Sequence, residues 1–471
     1  MTIVCAGMIR PGGVIAVLAL ALLCVGVVMV TSADMRVVSR IPDTPLGLGD
    51  VATPEATSVS APAQIESVGA MLRRIATSSQ VMYFVMAITA MLVASLIPIN
   101  KLLALAGLQS NASDSHPPVE TPVLPMPSDF PWHKKTLRIA WRWFKPFLHR
   151  DYLLPATAVI LICALLVCVY VPGLRSPRNG SNRWILLPGL GGQTFQPSEV
   201  AKWAIVLVLA WYCARRAAVL QSFTRGLGPA LIGLGLIIAV IAKEDLGTAA
   251  LIAVVSCVVL IAAGARIPHF LAFSPVMIAG AFAAIWLAPY RIRRLISFLQ
   301  PYDDPMGDGY HIIQSLLAIS GGDGAGRGLG YGLQKLGYLP EDRTDFLFAV
   351  ICEELGIGGG ILVVFLLCAL VWTALGIARN QTVPALKLIA LGVASTIAFQ
   401  TLINLFVVTG LAPTKGIALP LISFGGTGWI LTCASLGLLI AIDRHSRADA
   451  SILSREEAPT HARDGHGLAV A

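Results

Sequence analysis

Charge is scarce in this sequence. Of 471 residues, 13% are Asp, Glu, Lys or Arg, while 56% are hydrophobic. The mean hydropathy is +0.76. That balance excludes an ordinary soluble enzyme and describes a polytopic membrane protein. Paired cysteines are missing too. The nine cysteines are scattered, mostly inside apolar runs (Cys24, Cys163, Cys168, Cys257, Cys368 and Cys433), with no Cys-x-x-Cys pair. They read as small core residues rather than as disulfides or metal ligands. The eight histidines show no ligand spacing. No Gly-Lys-Ser/Thr follows the Gly-rich stretch 321–332, which weakens its reading as a phosphate loop. No internal repeat is evident, which argues against a transporter built from inverted repeats.

What the chain does have is long apolar runs. A span needs about 20 apolar residues, and ten spans can be drawn, at roughly 14–32, 81–98, 153–171, 197–214, 227–243, 246–264, 268–288, 345–376, 384–410 and 418–442. The fold class expected is therefore an all-α polytopic membrane protein with about ten transmembrane helices. The first run follows Arg10 like a signal peptide, but its apolar core is too long for one and reads as a retained span. The net charge of +8 lies in loops between spans, so nucleic acid is not the partner it implies. Loops 99–152 and 215–226 and the tail with Arg444, Arg447 and Arg455 fall on one side, which positive-inside logic makes cytoplasmic, with both termini inside. The large extracytoplasmic loop 289–344, between spans seven and eight, is basic as well. Cations kept there point to an anionic ligand.

Three regions follow: 1–152 with the first two spans and long irregular loops, a membrane core 153–443, and a disordered cytoplasmic tail 444–471. Insertions 33–80 and 105–133 are rich in Pro, Ser, Thr and Ala, and Lys134 to Arg150 reads as an amphipathic interfacial helix.

The chemistry concentrates in a few motifs. Asp345 stands where the polar stretch 341–344 turns into a long apolar helix that also holds Glu353 and Glu354. An acid at a helix start can be a simple cap. Three acids in one apolar span point instead to a site, because a carboxylate at bilayer depth is costly. Around Pro197 and Ser198, Glu199 and Lys202 are three apart, share a helix face and can pair. The pair could merely orient its helix or could hold one side of a cavity. Lys243, Glu244 and Asp245 crowd a tight turn before Leu246, Gly247 and Thr248. The glycines of 321–332 let backbone amides form anion-binding concavities, or they make a re-entrant turn. Finally Pro413, Thr414, Lys415 and Gly416 lead into Pro420, Ser423, Gly425 and Gly426, which break a membrane helix. A broken helix persists where protein or a water-filled cavity covers the freed backbone.

As a set, these motifs resemble the SEDS family of shape, elongation, division and sporulation proteins, which includes FtsW, RodA and SpoVE. The likeness runs from about 153 to 443 and leans toward FtsW through Pro413 to Gly416 and 334–340, with Gln314 in a segment also seen in RodA. The resemblance implies a peptidoglycan glycosyltransferase that polymerises lipid II on the outer face of the bacterial cytoplasmic (inner) membrane, into glycan carried on undecaprenyl pyrophosphate. Its partners would be a class B penicillin-binding protein and other divisome or elongasome proteins. The family's catalytic Asp matches Asp345, and its conserved ion pair matches Glu199 and Lys202. Candidate pyrophosphate ligands are Arg343, Arg291, Arg293, Arg294 and Lys415, with Asp245, Glu353, Glu354, Gln314 and Ser423 in support. No cofactor is certain, and a divalent cation (magnesium or manganese) is left open. Two departures stand out. Lys243-Glu244 replaces the family's Gln-Pro, and Phe424 and Thr427 replace Tyr and Ser. The competing functions are a lipid II flippase and a non-catalytic divisome scaffold.

Overall fold

A computed structural model describes residues 10–34, 79–108, 153–178, 181–186 and 194–456. Within them the chain is helical apart from one small sheet. The elements are α1 (Pro11–Asp34), α2 (Ser79–Ser95), α3 (Ile99–Leu105), α4 (Leu153–Cys168), β1 (Arg175–Arg178), β2 (Ser181–Leu186), β3 (Thr194–Phe195), α5 (Pro197–Arg215), α6 (Gly228–Glu244), α7 (Leu246–Ala262), α8 (Ile267–Trp286), α9 (Pro289–Leu299), α10 (Tyr310–Gly321), α11 (Leu347–Arg379), α12 (Pro384–Val408) and α13 (Thr427–Glu456).

Most of each expected span is helix. Among the described residues, six helices are long and apolar enough to cross a membrane, and the bent pair α2–α3 makes a seventh. The pair turns by 75° at Pro98, whose ring and missing N–H stop a helix from running through. The stretches Val159–Cys168 and Leu246–Ala262 are apolar but shorter. α13 packs along α2 and α1, and α11 along α12 and α1, while α5, α7 and α12 form a second group with α6 against α7. In contrast, α8 buries none of its residues. A helix apolar all round with no protein over it fits hydrocarbon, not water.

Three departures from the sequence reading have physical causes. First, β2 pairs antiparallel with β1 and with β3, so 175–195 holds a sheet where only a connection was expected. Its strands are too short for a periodic signal. Second, the tenth span does not begin at 418. Residues 411–426 form an irregular loop running into the bundle, and α13 starts at Thr427. Third, α13 continues to Glu456, through the first part of the tail expected to be disordered. Arg447 Nε reaches Asp443 Oδ2 at 3.2 Å, one helical turn back, and supports that extension. The insertions 33–80 and 105–133 lie largely, and the interfacial stretch 134–150 wholly, outside the described residues.

The sheet, the α6–α7 turn, α9, the start of α10, residues 341–346 and the loop 411–426 meet at one end of the bundle and enclose a polar cavity.

Candidate active site

Asp345 sits just before α11. Its backbone is held by Asn404 on α12, whose buried Nδ2 donates to Asp345 O at 2.8 Å and to Ile417 O at 2.8 Å. One side chain thus pins the acid to the irregular loop. On that loop Gly416 approaches so closely that a Cβ there would lie 3.1 Å from Asp345 Oδ2. Among the described residues, none donates a hydrogen bond to the Asp345 carboxylate. Burial, with Glu341 and Asp245 nearby, pushes its pKa up to about 7, against the pull of Arg183 and Arg294. A carboxylate with that pKa can take a proton at neutral pH.

The cavity in front of Asp345 holds about 1080 Å³. Four cations reach its wall: Arg183 from β2, Lys243 from the end of α6, Arg294 from α9 and Lys415 from the loop. Burial lowers the pKa of Lys415, as do Arg291, Arg294 and Arg183, while Asp245 opposes them. Of the five cations expected as ligands, Arg294 and Lys415 line the cavity. Three do not line the cavity. Arg291 donates to the carbonyls of Ala284, Ala242 and Lys243 at 2.7–2.9 Å, which ties α9 to the α6–α7 turn. Arg293 is exposed and pairs with Asp308 at 3.4 Å. Arg343 lies beside Asp342 at 4.0 Å, and its carbonyl accepts from Phe424 N. Arg183 was missed by sequence reading because its hairpin carries no catalytic pattern. Its only signal was a cation beside Trp184, after Arg175 and Arg178 and ahead of Gln196 and Pro197. His311, another wall residue, stacks on Phe346 at 5.9 Å between centroids.

The supporting residues divide. Glu199 lines the cavity, and Lys202 behind it is 2% exposed. Lys202 Nζ donates to Glu199 Oε2 at 2.8 Å and to Gln400 Oε1 at 2.9 Å, and Gln400 Nε2 donates to Ala418 O at 2.8 Å. The pair is thus part of a relay binding α5, α12 and the loop. Ser423 lines the cavity; its hydroxyl accepts from Leu419 N at 3.0 Å, and its carbonyl accepts from Trp429 Nε1 at 2.7 Å. Asp245 is buried and caps α7, accepting from Thr248 N at 3.0 Å and Thr248 Oγ1 at 2.7 Å, with Arg183 Nη1 at 3.8 Å. Gln314 lies half-buried on α10 and off the cavity wall.

Glu353 and Glu354 are not brought to Asp345. Both are buried and face the Gly-rich stretch. Glu354 accepts from Lys335 Nζ at 2.6 Å, from Ser32 Oγ at 2.7 Å and from the amides of Gly330 and Gly332. Glu353 accepts from the amides of Leu333 and Gln334, with Arg327 at 3.6 Å. The amide concavity expected for a ligand exists, but the anions it holds are the chain's own. Gly356, at φ 67°, ends this first part of α11 in a conformation open to glycine.

Residues 144–448 match the family described as cell cycle protein, FTSW_RODA_SPOVE. The chain is 41% identical to stage V sporulation protein E of Bacillus subtilis over 61% of this chain and 79% of that protein. It is 39% identical to the probable peptidoglycan glycosyltransferase FtsW of Geobacter sp. strain M18 over 61% and 77%. Its fold is similar to a chain solved in a study of how a peptidoglycan synthase complex coordinates polymerization and crosslinking, with a TM-score of 0.60 at 21% identity, covering 92% of this chain and 97% of that one. It is also similar to a mutant of the rod shape determining protein RodA of Thermus thermophilus, with a TM-score of 0.51 at 20% identity and the same coverage.

Proposed function

The chain belongs to the FTSW_RODA_SPOVE family of cell cycle proteins, and from that premise we propose that it is an FtsW-like peptidoglycan glycosyltransferase polymerising lipid II on the outer face of the bacterial inner membrane. The observation that carries the mechanism is a carboxylate, Asp345, that has no hydrogen-bond donor among the described residues and faces a cavity with Arg183, Arg294 and Lys415 on its wall. A sugar hydroxyl is a poor nucleophile at neutral pH. Asp345 accepts the proton of the acceptor's GlcNAc 4-hydroxyl as its oxygen attacks the anomeric carbon of the lipid-linked donor. One displacement inverts the α-linkage to β and needs one base, not the carboxylate pair of a retaining hydrolase. Undecaprenyl pyrophosphate leaves, and the cations stabilise its charge; Arg183 and Arg294 can contact phosphate in bidentate fashion. General-base help is worth about 10²–10⁴-fold, so positioning of two lipid-anchored substrates supplies the rest.

Among the described residues, no group of three or more His, Cys, Asp or Glu side chains is placed to hold a metal ion. A magnesium or manganese ion held by the pyrophosphate with one or two carboxylates stays open, and the side-chain cations on the wall stabilise the leaving group's charge. What supports the outer face is the run of α5 from Glu199 at the cavity to Arg215 at the far end, where Arg216 and Arg225 also lie. Basic residues mark the cytoplasmic side. Ten spans, cytoplasmic termini and a catalytic core of 153–443 complete this reading. The partners are lipid II, the growing glycan, a class B penicillin-binding protein and other proteins of the division or elongation machinery. The test is lipid II polymerisation in proteoliposomes by the purified chain with its penicillin-binding partner. Glycan ladders from the wild type and none from Asp345→Asn are expected. Wild-type ladders from Asp345→Asn overturn the base assignment, and translocation of lipid II without polymer overturns the enzyme in favour of a flippase.

A further inference from the structure

Lys243 and Glu244 were set apart in the sequence as a departure from the family motif, and the mechanism above assigns Glu244 nothing. In the structure it joins the α6–α7 turn to β2 through two contacts and to Tyr170, ahead of the sheet, through a third. Glu244 Oε2 accepts from the backbone N–H of Asn182 at 2.9 Å. Glu244 Oε1 accepts from the Tyr170 hydroxyl at 3.1 Å, just before the hairpin. The Glu244 carbonyl accepts from Arg183 Nε at 2.9 Å. Lys243 closes over the Tyr170 ring at 4.8 Å. Strands β1 and β2 are four and six residues long and β3 two, and Arg183 adds a looser hold on the turn through Asp245 at 3.8 Å. A sheet so small is marginal without docking.

We propose that Glu244 is a positioning residue for lipid II polymerisation: by clamping the hairpin to the α6–α7 turn it aims the Arg183 guanidinium at the leaving pyrophosphate. This rests on the glycosyltransferase reading above. The aim is narrow, because Arg183 Nη1 stands 3.8 Å from Asp245 Oδ2 and would lie 3.4 Å from a Cβ at Gly416. Its remaining donors are therefore spread between the acid and the cavity. The groups acting on Asp345 are Glu341 and Asp245, which raise its pKa, and Arg183 and Arg294, which lower it. Letting Arg183 swing away removes one of the two lowering charges. The ionised base is then less populated at neutral pH, and the rising limb of the rate–pH profile moves to higher pH.

The test compares Glu244→Ala, Glu244→Gln and Tyr170→Phe in the full chain with its penicillin-binding partner. Two readouts are taken: lipid II polymerisation against substrate concentration and pH, and backbone hydrogen exchange. Glu244→Ala should lower kcat/KM by about 10–100-fold, the scale for a misplaced group. It should also shift the rising limb of the pH profile upward and speed exchange at 181–186 while leaving α11 and α12 protected. Glu244→Gln keeps one acceptor and should recover most of the rate, and Tyr170→Phe should fall between. Faster exchange at 181–186 with unchanged kinetics and pH profile overturns the positioning role. Unchanged exchange with unchanged kinetics overturns the clamp itself. A uniform loss of protection across the bundle assigns Glu244 to folding alone and also overturns it. A wild type that makes no polymer sinks the glycosyltransferase reading instead, a failure visible before any variant is compared.

Discussion

Ionising the Asp345 carboxyl in its buried place costs stability. The folded Asp345 carboxyl holds its proton up to about 7, against an ordinary value of 3.8. Between those values the folded chain binds more protons than the unfolded one, so stability falls as pH rises through the window, and the full cost is present above it. At roughly 1.4 kcal/mol per pH decade the ceiling is about 4 kcal/mol at pH 8 and about 1.5 kcal/mol at pH 5. Contact between the carboxylate and the water of the cavity reduces both. Asp345→Asn removes the charge and keeps the shape. It should therefore be inactive yet more resistant to heat than the wild type at pH 8, and the gap should narrow toward pH 5. If Asp345 is the base, as proposed, the same ionisation sets the wild-type rate, which should fall to about a tenth between pH 8 and pH 6 for a base of this pKa. Thermal unfolding in detergent at the two pH values and polymerisation over pH 6–8 measure these quantities. An Asn variant no more stable than the wild type at pH 8, or a gap that does not narrow at pH 5, refutes the claim that Asp345 is held against its own ionisation.

Three further outcomes follow from the geometry. Lys335 is buried against Glu354 at 2.6 Å, so Lys335→Met should destabilise by about 3 kcal/mol through an uncompensated buried acid; Lys335→Met with Glu354→Gln should recover much of the loss in the same unfolding assay. Arg294→Ala should lower kcat/KM about tenfold or more through a lost charged contact. Arg293→Ala, at an exposed pair with Asp308, should stay within about twofold; equal losses in both would show that the cavity wall is not where the charge is met. Gly416→Ala places a methyl 3.1 Å from Asp345 Oδ2 and 3.4 Å from Arg183 Nη1, and should lower kcat on the order of tenfold with little change in Tm.

The comparison of sequence with structure turns on particular residues. Helix positions were readable because apolar length is a local property, and most of each expected span is helical. Asp345 stood out as an acid at the mouth of an apolar run, and Lys415 and Arg294 as cations near it in the chain's basic loops. Glu353 and Glu354 were equally conspicuous, yet they serve the Gly-rich stretch. An unpaired acid and a paired one look alike until the donors around them are known.

Composition and periodicity alone determined that this chain lives in a bilayer, that its helices lie where they do, and that acids and bases gather in a few polar breaks. Only the folded arrangement decided which of those charges share one cavity. It brought Arg183 in from a hairpin with no motif, turned Arg291 away to bind carbonyls, and left Asp345 without a donor among the described residues. The reason is that a hydrogen bond is satisfied by whatever the fold brings within about 3 Å, and residues hundreds apart in sequence, such as Ser32 and Glu354, meet only there.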